Sequence, residues 1–125
     1  MITRLDHANI RTTKLKDMIV WYQDVLGFKE GWRPNFPFGG AWMYIEDFAL
    51  VHLVEVEQPV ETPENSSLEH VAFSAAGLAE FRAHLVAHSV ACQEIRLEDA
   101  GIIQMNIHDP EGNHLHIDFA LTEDE

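Results

Sequence analysis

Two segments of the chain carry apolar residues at helical spacing, and three short strand-like segments follow each of them. In the first half the apolar positions fall on one helix face, at Leu15, Met18, Ile19, Tyr22, Val25 and Leu26. A shorter helix in the second half, ending near Ser89, is marked by Leu78, Phe81 and Leu85. The strand-like segments are Phe28–Arg33, Ala41–Ile45, Leu50–Val56, Val90–Leu97, Ile102–Ile107 and His114–Phe119. This order of elements predicts an α+β fold.

The two halves repeat one pattern. The segment Leu5–Ile10 (LDHANI) returns 63 residues later as Leu68–Phe73 (LEHVAF). Each half then reads as strand, helix and three strands, so we expect two tandem βαβββ modules. The predicted bounds are module one 1–57, linker 58–67, module two 68–120 and acidic tail 121–125. We expect the acidic tail to be frayed and without function.

Composition and charge narrow the choice of partners. The chain has 125 residues, 21 acidic and 8 basic, and a formal net charge of −13. That charge opposes binding to nucleic acid and to anionic membrane surfaces. No apolar run approaches the roughly 20 residues of a membrane span, and the lone Cys92 excludes an internal disulfide. We therefore expect a cytoplasmic protein with a small-molecule partner, and we expect Cys92 to be a small buried residue.

Four of the eight histidines occupy equivalent positions of the repeat. His7 and His70 share a position in the first predicted strand of each half, and His52 and His116 share one in the last. Equivalent inward residues of two modules related by a twofold axis converge near that axis, so four imidazoles would crowd together. Histidine is the commonest metal ligand in proteins. The four histidines therefore predict a metal site.

Other polar and aromatic side chains are expected around these histidines. Residues two positions apart on a strand share a face, which puts Asn9 beside His7, and His114 and Asp118 beside His116. We expect these three neighbours to support the ligands or to face the substrate. A cluster of aromatic residues around a loop rich in Pro and Gly is equally typical of a hydrophobic core and of a pocket wall. The expected pocket residues are Trp32, Phe36, Phe38, Trp42 and Tyr44.

These motifs together resemble the vicinal oxygen chelate superfamily, which includes glyoxalase I, extradiol dioxygenases, fosfomycin-resistance enzymes and bleomycin-binding proteins. The resemblance is carried by Leu5–His7, Trp21–Phe28, Leu68–Phe73 and Asp109–Asn113. It implies that the two modules form an open, cup-like barrel around one divalent metal per chain, which would be Fe, Zn, Ni, Co or Mn. It also implies a homodimer. The ligands that it implies are His7, His52, His70 and His116.

The resemblance leaves the reaction open. Glyoxalase I carries glutamates at the positions of His52 and His116, and a metal-bound imidazole is a poor general base because its lone pair is already donated. Oxygen chemistry needs open coordination positions more than it needs a particular carboxylate. We therefore expect oxygenase or ring-cleavage chemistry on a small aromatic or carbonyl substrate. The alternatives are a glyoxalase-type isomerase or lyase, and a non-catalytic protein that binds a small molecule or drug; no catalytic residue is assigned.

Overall fold

The computed structural model describes residues 1–59 and 65–125 of the chain. It divides the chain after residue 61 into two compact units. Among the described residues, each unit has one α-helix and one open four-stranded sheet, in the chain order strand, helix, three strands. The predicted α+β fold of two βαβββ modules is confirmed.

The first unit places its core on one face of the sheet. Its elements are β1 Ala8–Thr12, α1 Leu15–Asp24, β2 Lys29–Gly31, β3 Gly40–Ile45 and β4 Phe48–Glu55. The strand order is β1-β4-β3-β2, with β1 parallel to β4 and the other neighbours antiparallel. The helix buries Met18 and Tyr22, and the buried sheet side chains alternate, at Ala41, Met43, Val51 and Leu53. Because side chains alternate along a strand, Trp42 and His52 lie on the other face.

The second unit repeats this plan. Its elements are β5 Val71–Ser74, α2 Leu78–Ala87, β6 Gln93–Leu97, β7 Ile102–His108, β8 His114–Ala120 and a 3-10 helix, Leu121–Asp124. The strand order is β5-β8-β7-β6, and β5 is parallel to β8. Phe81 of α2 meets the buried Phe119 of β8 at 5.3 Å between ring centroids. The helix therefore covers the apolar face of β8, and the opposite face carries His114, His116 and Asp118.

Two expectations about local structure need correction. His7 and His70 were expected inside the first strand of each half, but β1 and β5 begin one residue later, at Ala8 and Val71. Cys92 was expected to be buried within a strand, whereas it is exposed and precedes β6. The predicted strand Val90–Leu97 loses its first three residues, which leaves the thiol outside the sheet.

The expectation that the acidic tail frays is also wrong. Glu123 Oε1 accepts hydrogen bonds from the backbone N–H groups of Gly77 and Leu78, both at 2.9 Å, at the start of α2. Asp124 pairs with Arg82 at 3.0 Å and with Arg96 at 2.9 Å. The tail thus satisfies backbone donors that the first turn of a helix leaves without an intrahelical acceptor. Of the predicted linker, residues 60–64 lie outside the described residues, and the predicted module bounds stay a prediction.

Candidate metal centre

In the first unit, His7 and His52 lie face to face. Their ring centroids are 3.7 Å apart and their planes differ by 11°. Trp42, which is paired with His52 across β3 and β4, also stacks on that imidazole, at 4.0 Å and 12°. The three rings border a groove of about 490 Å³ whose lining also includes Arg4 and Phe48. Asn9 lies opposite His52 in the pairing of β1 with β4.

The second unit brings the equivalent histidines together in the same way. His70 stacks on His116 with 3.8 Å between ring centroids and 14° between planes. His116 lies opposite Ala72 in the pairing of β5 with β8, just as His52 lies opposite Asn9 in the first unit. The stacking therefore follows from the repeat, because equal strand registers put the histidine directly before the first strand of each unit beside the histidine in the last strand.

A third histidine joins this pair in the second unit. The ring of His114 is 5.6 Å from that of His70 and 4.8 Å from that of His116, between centroids. One potential ligand nitrogen from each of the three lies within 4.8 Å of the others. The cluster borders a groove of about 630 Å³ whose lining includes His114, His116, Asn106 and His108. The first unit has Leu50 where the repeat would place a counterpart of His114.

His7 and His70 are each hydrogen-bonded to the carboxylate of the residue that precedes them in the sequence. His7 Nδ1 is 2.7 Å from Asp6 Oδ2, and His70 Nδ1 bonds to Glu69 Oε2. These hydrogen bonds lower the pKa of both carboxyl groups, and in Glu69 a second bond, from His114, adds to the effect. Both carboxylates are therefore ionised at neutral pH and can act solely as acceptors.

The hydrogen bonds of His114 distinguish it from the stacked pair. Its Nδ1 is 3.1 Å from Glu69 Oε1, and its Nε2 is 2.8 Å from Asn106 Oδ1. The amide of Asn106 is oriented by its Nδ2, which donates to the backbone oxygen of Gln93 at 3.1 Å. Both ring nitrogens of His114 therefore already have acceptors, and ligation through either one would displace an acceptor. This pattern favours the supporting role predicted for His114.

Burial keeps the two last-strand histidines neutral. His52 and His116 are 8% and 7% exposed. Burial lowers the pKa of His52, and the neighbouring His7 lowers it further. Burial likewise lowers the pKa of His116, with smaller contributions from His70 and His114. A neutral imidazole has the free lone pair that a metal needs.

Acidification of the metal-free protein from about pH 8 to about pH 5.5 is expected to lower its free energy of unfolding. In the unfolded chain His52 and His116 take up protons near pH 6.5, whereas in the folded chain they stay neutral to lower pH. The unfolded state then binds more protons, so stability that is complete above pH 6.5 is lost as the pH falls towards the folded pKa values. Urea denaturation at both pH values measures the change.

The matched controls are histidine variants. The double variant His52→Gln/His116→Gln should be less sensitive to pH, and His88→Gln, at the exposed end of α2, should behave like the wild type. Equal pH dependence in the wild type and the double variant would contradict the prediction. The lowered carboxylate pKa values of Asp6 and Glu69 affect stability below about pH 4.5, outside this window.

Asp118 shares a strand face with His116 and has an unsatisfied atom. Its Oδ1 is buried and has no hydrogen-bond partner within residues 1–59 and 65–125. The charge of Asp118 opposes the effect of burial on the pKa of His116. A buried carboxylate oxygen requires a donor or a cation. Asp118 is therefore suited to the supporting role predicted for it.

The five aromatic residues expected to line a pocket have different surroundings. Trp42 alone among them lines one of the two grooves described above. Phe36 and Phe38 stack on each other, and the guanidinium of Arg33 lies over both rings, at 4.9 and 5.3 Å. The Tyr44 hydroxyl donates to the backbone oxygen of Trp32 at 2.5 Å. The contacts of the other four thus lie at the loop between β2 and β3, and their role as pocket residues stays a prediction.

The sequence analysis missed three residues of the site. Asp6 and Glu69 have a signal in the sequence, because an acidic residue directly precedes the histidine in both copies of the repeat. Asn106 has no such signal, since its partners Gln93 and His114 are 13 and 8 residues away along the chain. They become neighbours through the pairing of β7 with β6 and β8.

The chemistry of the donor set fits a divalent transition metal. Imidazole nitrogens suit Zn, Cu, Fe and Ni. A tetrahedral site with bonds of about 2.05 Å places ligand nitrogens roughly 3.4 Å apart, so nitrogens within 4.8 Å of one another need no more than small side-chain rotations to close on an ion. His70, His114 and His116 could therefore hold an ion, whose identity the donors alone do not select.

Comparison with known proteins identifies the family. Residues 4–117 match the profile of the Glyoxalase/Bleomycin resistance protein/Dioxygenase superfamily. The chain belongs to this superfamily. It is 25% identical over 123 residues to "Glyoxylase I 4" of Arabidopsis thaliana, a match that covers 93% of this chain and 70% of that protein.

Two solved structures of other proteins show the same fold. A glyoxylase/bleomycin resistance protein/dioxygenase domain from Frankia sp. EAN1pec superposes with a TM-score of 0.78 at 16% identity, covering 96% of this chain and 93% of that one. The fosfomycin resistance protein FosX from Listeria monocytogenes superposes with a TM-score of 0.74 at 16% identity, covering 98% of both chains. At these identities the likeness is one of fold.

The helices of this superfamily member are short. Within the part of the chain that the structure describes, no helix has the length and apolar character needed to cross a membrane.

Proposed function

We propose that this protein is a divalent-metal-dependent enzyme of the oxygenase or ring-cleavage type, acting on a small aromatic or carbonyl substrate. The observation that carries the proposal is the cluster of His70, His114 and His116 beside a groove of about 630 Å³. The proposed ligands are His70 and His116 of the second unit together with His7 and His52 of the first. A metal ion supplies Lewis acidity towards substrate oxygen atoms and, as iron, redox chemistry.

The absence of a carboxylate from the proposed ligand set favours oxygen chemistry over isomerisation. Isomerisation beside a carbonyl needs a base that moves a proton, and an imidazole that ligates a metal has no lone pair left for this task. The carboxylates hydrogen-bonded to the stacked rings, Asp6 and Glu69, are engaged with His7 and His70. These two carboxylates therefore orient the histidines rather than act as bases towards a substrate.

The linings of the grooves suggest the substrate class. The groove in the first unit offers the aromatic rings of Trp42 and Phe48. The groove in the second unit offers the neutral polar groups of Gln93, Gln104 and Asn106. With a net charge of −13 the protein repels polyanions, so a small, weakly charged aromatic molecule with oxygen substituents suits these surfaces best.

Oxygen consumption tests the proposal. Protein purified without an affinity tag and reconstituted with Fe(II) is expected to consume dioxygen with catechol as the probe substrate. The variant His70→Ala/His116→Ala should lose this activity, and His88→Ala should keep it. Loss in neither variant, or equal uptake by free Fe(II), would overturn the proposal.

A glyoxalase-type isomerase or lyase is the second candidate. The observation in its favour is the match to the plant protein named "Glyoxylase I 4". Activity with Ni(II), Co(II) or Zn(II) under argon, on the hemithioacetal of glutathione and methylglyoxal, would support this candidate over the oxygenase. A protein that takes up none of these metals but binds small molecules would instead be the non-catalytic binder. The homodimer and the cytoplasmic location expected from the sequence remain predictions.

A further inference from the structure

In both units, a carboxylate lies beside the histidine that directly precedes the first strand. Asp6 and Glu69 are 63 residues apart and occupy the same position of the repeat. Each contacts Nδ1 of the histidine that follows it, so the same contact forms twice in independent surroundings. Exposed ion pairs between neighbours often contribute little to stability. We therefore expect these two contacts to contribute little to the stability of the fold.

The backbone explains how adjacent side chains can meet. Along a regular strand, successive side chains point to opposite faces, so residues i and i+1 cannot form a hydrogen bond with each other. The strands β1 and β5 begin at Ala8 and Val71, directly after the two histidines. Asp6 and His7, like Glu69 and His70, therefore lie just before the regular strand, outside the part of the chain to which strict alternation applies.

The hydrogen bonds select one tautomer of each imidazole. An ionised carboxylate has no proton to donate, so the bonded Nδ1 carries the proton. In a neutral ring, Nε2 then holds the lone pair. A histidine oriented by a carboxylate in this way is a common arrangement of metal ligands, and the carboxylate also makes the imidazole a better donor.

We propose that Asp6 and Glu69 are positioning residues, which hold His7 and His70 in the tautomer whose Nε2 ligates the metal. This inference rests on the proposed function. Glu69 has the larger role, because its second oxygen lies 3.1 Å from Nδ1 of His114 and so orders two imidazoles of the cluster. Asp6 contacts His7, and its carboxylate also lies 4.0 Å from the guanidinium of Arg4.

The tautomer is measured directly by nitrogen-15 NMR of the metal-free protein. In the wild type, His7 and His70 should show the chemical shifts of the tautomer protonated at Nδ1. In Asp6→Ala the spectrum of His7 should move towards that of free imidazole, and in Glu69→Ala the same should happen to His70. Glu69→Gln should lie between the wild type and Glu69→Ala, because the amide oxygen can still accept from Nδ1. Glu30→Ala removes an exposed carboxylate from β2 and should change neither ring.

Metal affinity provides the second readout. Competition with a chromophoric chelator for Zn(II) and Ni(II) should show binding weakened about 10- to 100-fold in Glu69→Ala, less in Asp6→Ala and not at all in Glu30→Ala. Unchanged tautomers in both alanine variants would overturn the inference whatever the metal affinity. Altered tautomers in a protein whose wild type takes up no metal would overturn the proposed function, and with it the ligating role of Nε2. Altered tautomers with unchanged affinity would overturn the positioning role alone.

Discussion

Replacing His116 with alanine is expected to weaken the binding of Zn(II) by more than about 100-fold, the upper end of the loss expected when a ligand loses its hydrogen-bonding partner. His116 is 7% exposed and stacks on His70, so its removal deletes a buried imidazole nitrogen from the cluster. His70→Ala should have an effect of the same order. Competition with a chromophoric chelator, together with metal content measured by mass spectrometry, gives the affinity and the number of ions per chain.

Further variants separate two possible ligand sets. If His7 and His52 ligate the ion, as the sequence predicts, His52→Ala should weaken binding as strongly as His116→Ala. If instead the cluster of His70, His114 and His116 suffices, His114→Ala should be the more damaging change. His88→Ala, directly after the end of α2, is the matched control and should bind like the wild type. Wild-type affinity in both His70→Ala and His116→Ala would contradict the metal centre.

Replacing Phe119 with alanine is expected to lower the free energy of unfolding by about 3–5 kcal/mol. Phe119 is 1% exposed, belongs to β8 and contacts Phe81 of α2 at 5.3 Å between centroids. Its removal would leave a cavity between the helix and the strand that carries His116 on its other face. Urea denaturation of the metal-free protein, followed by circular dichroism, measures the loss.

Phe48→Ala is the control for this prediction. Phe48 begins β4 and is 48% exposed, so its removal should change the free energy of unfolding by no more than about 1 kcal/mol. Similar losses in Phe119→Ala and Phe48→Ala would show that the helix-covered face of β8 is not the core of the second unit. The conservative variant Phe119→Leu should keep most of the stability.

The repeated fold is visible in the sequence because its causes are local. Helical spacing in Leu15–Leu26 and alternation in β8 reflect side-chain directions that the backbone imposes within a few residues. His7 stacks on His52, and His70 stacks on His116, because the first and last strands of the two units pair in equivalent registers. Repetition then marks equivalent positions without any knowledge of contacts. For this reason the sequence analysis recognised His7 and His70, and His52 and His116, as equivalent positions, but it did not predict which rings stack within each unit.

Contacts between distant segments were not predictable. Glu123 meets the start of α2 across 45 residues or more, and the tail was accordingly expected to fray. Cys92 was expected inside a strand because its neighbours are apolar, but β6 begins one residue later. Phe36 and Phe38 lie against the guanidinium of Arg33, a contact that the sequence analysis did not predict. The apolar character of a residue predicts that it tends to be buried. It does not predict which residues it packs against.

The sequence by itself determined the two βαβββ modules, the four repeat-related histidines and the acidic charge, which opposes binding to nucleic acid. Only the tertiary structure decided that Glu69 joins His70 to His114, that Asn106 orients His114, and that Asp118 keeps a buried oxygen without a partner among the described residues. The physical reason is that periodicity and repetition are properties of neighbouring residues. Hydrogen-bond partners and burial depend on strand pairing, which joins residues far apart in the chain.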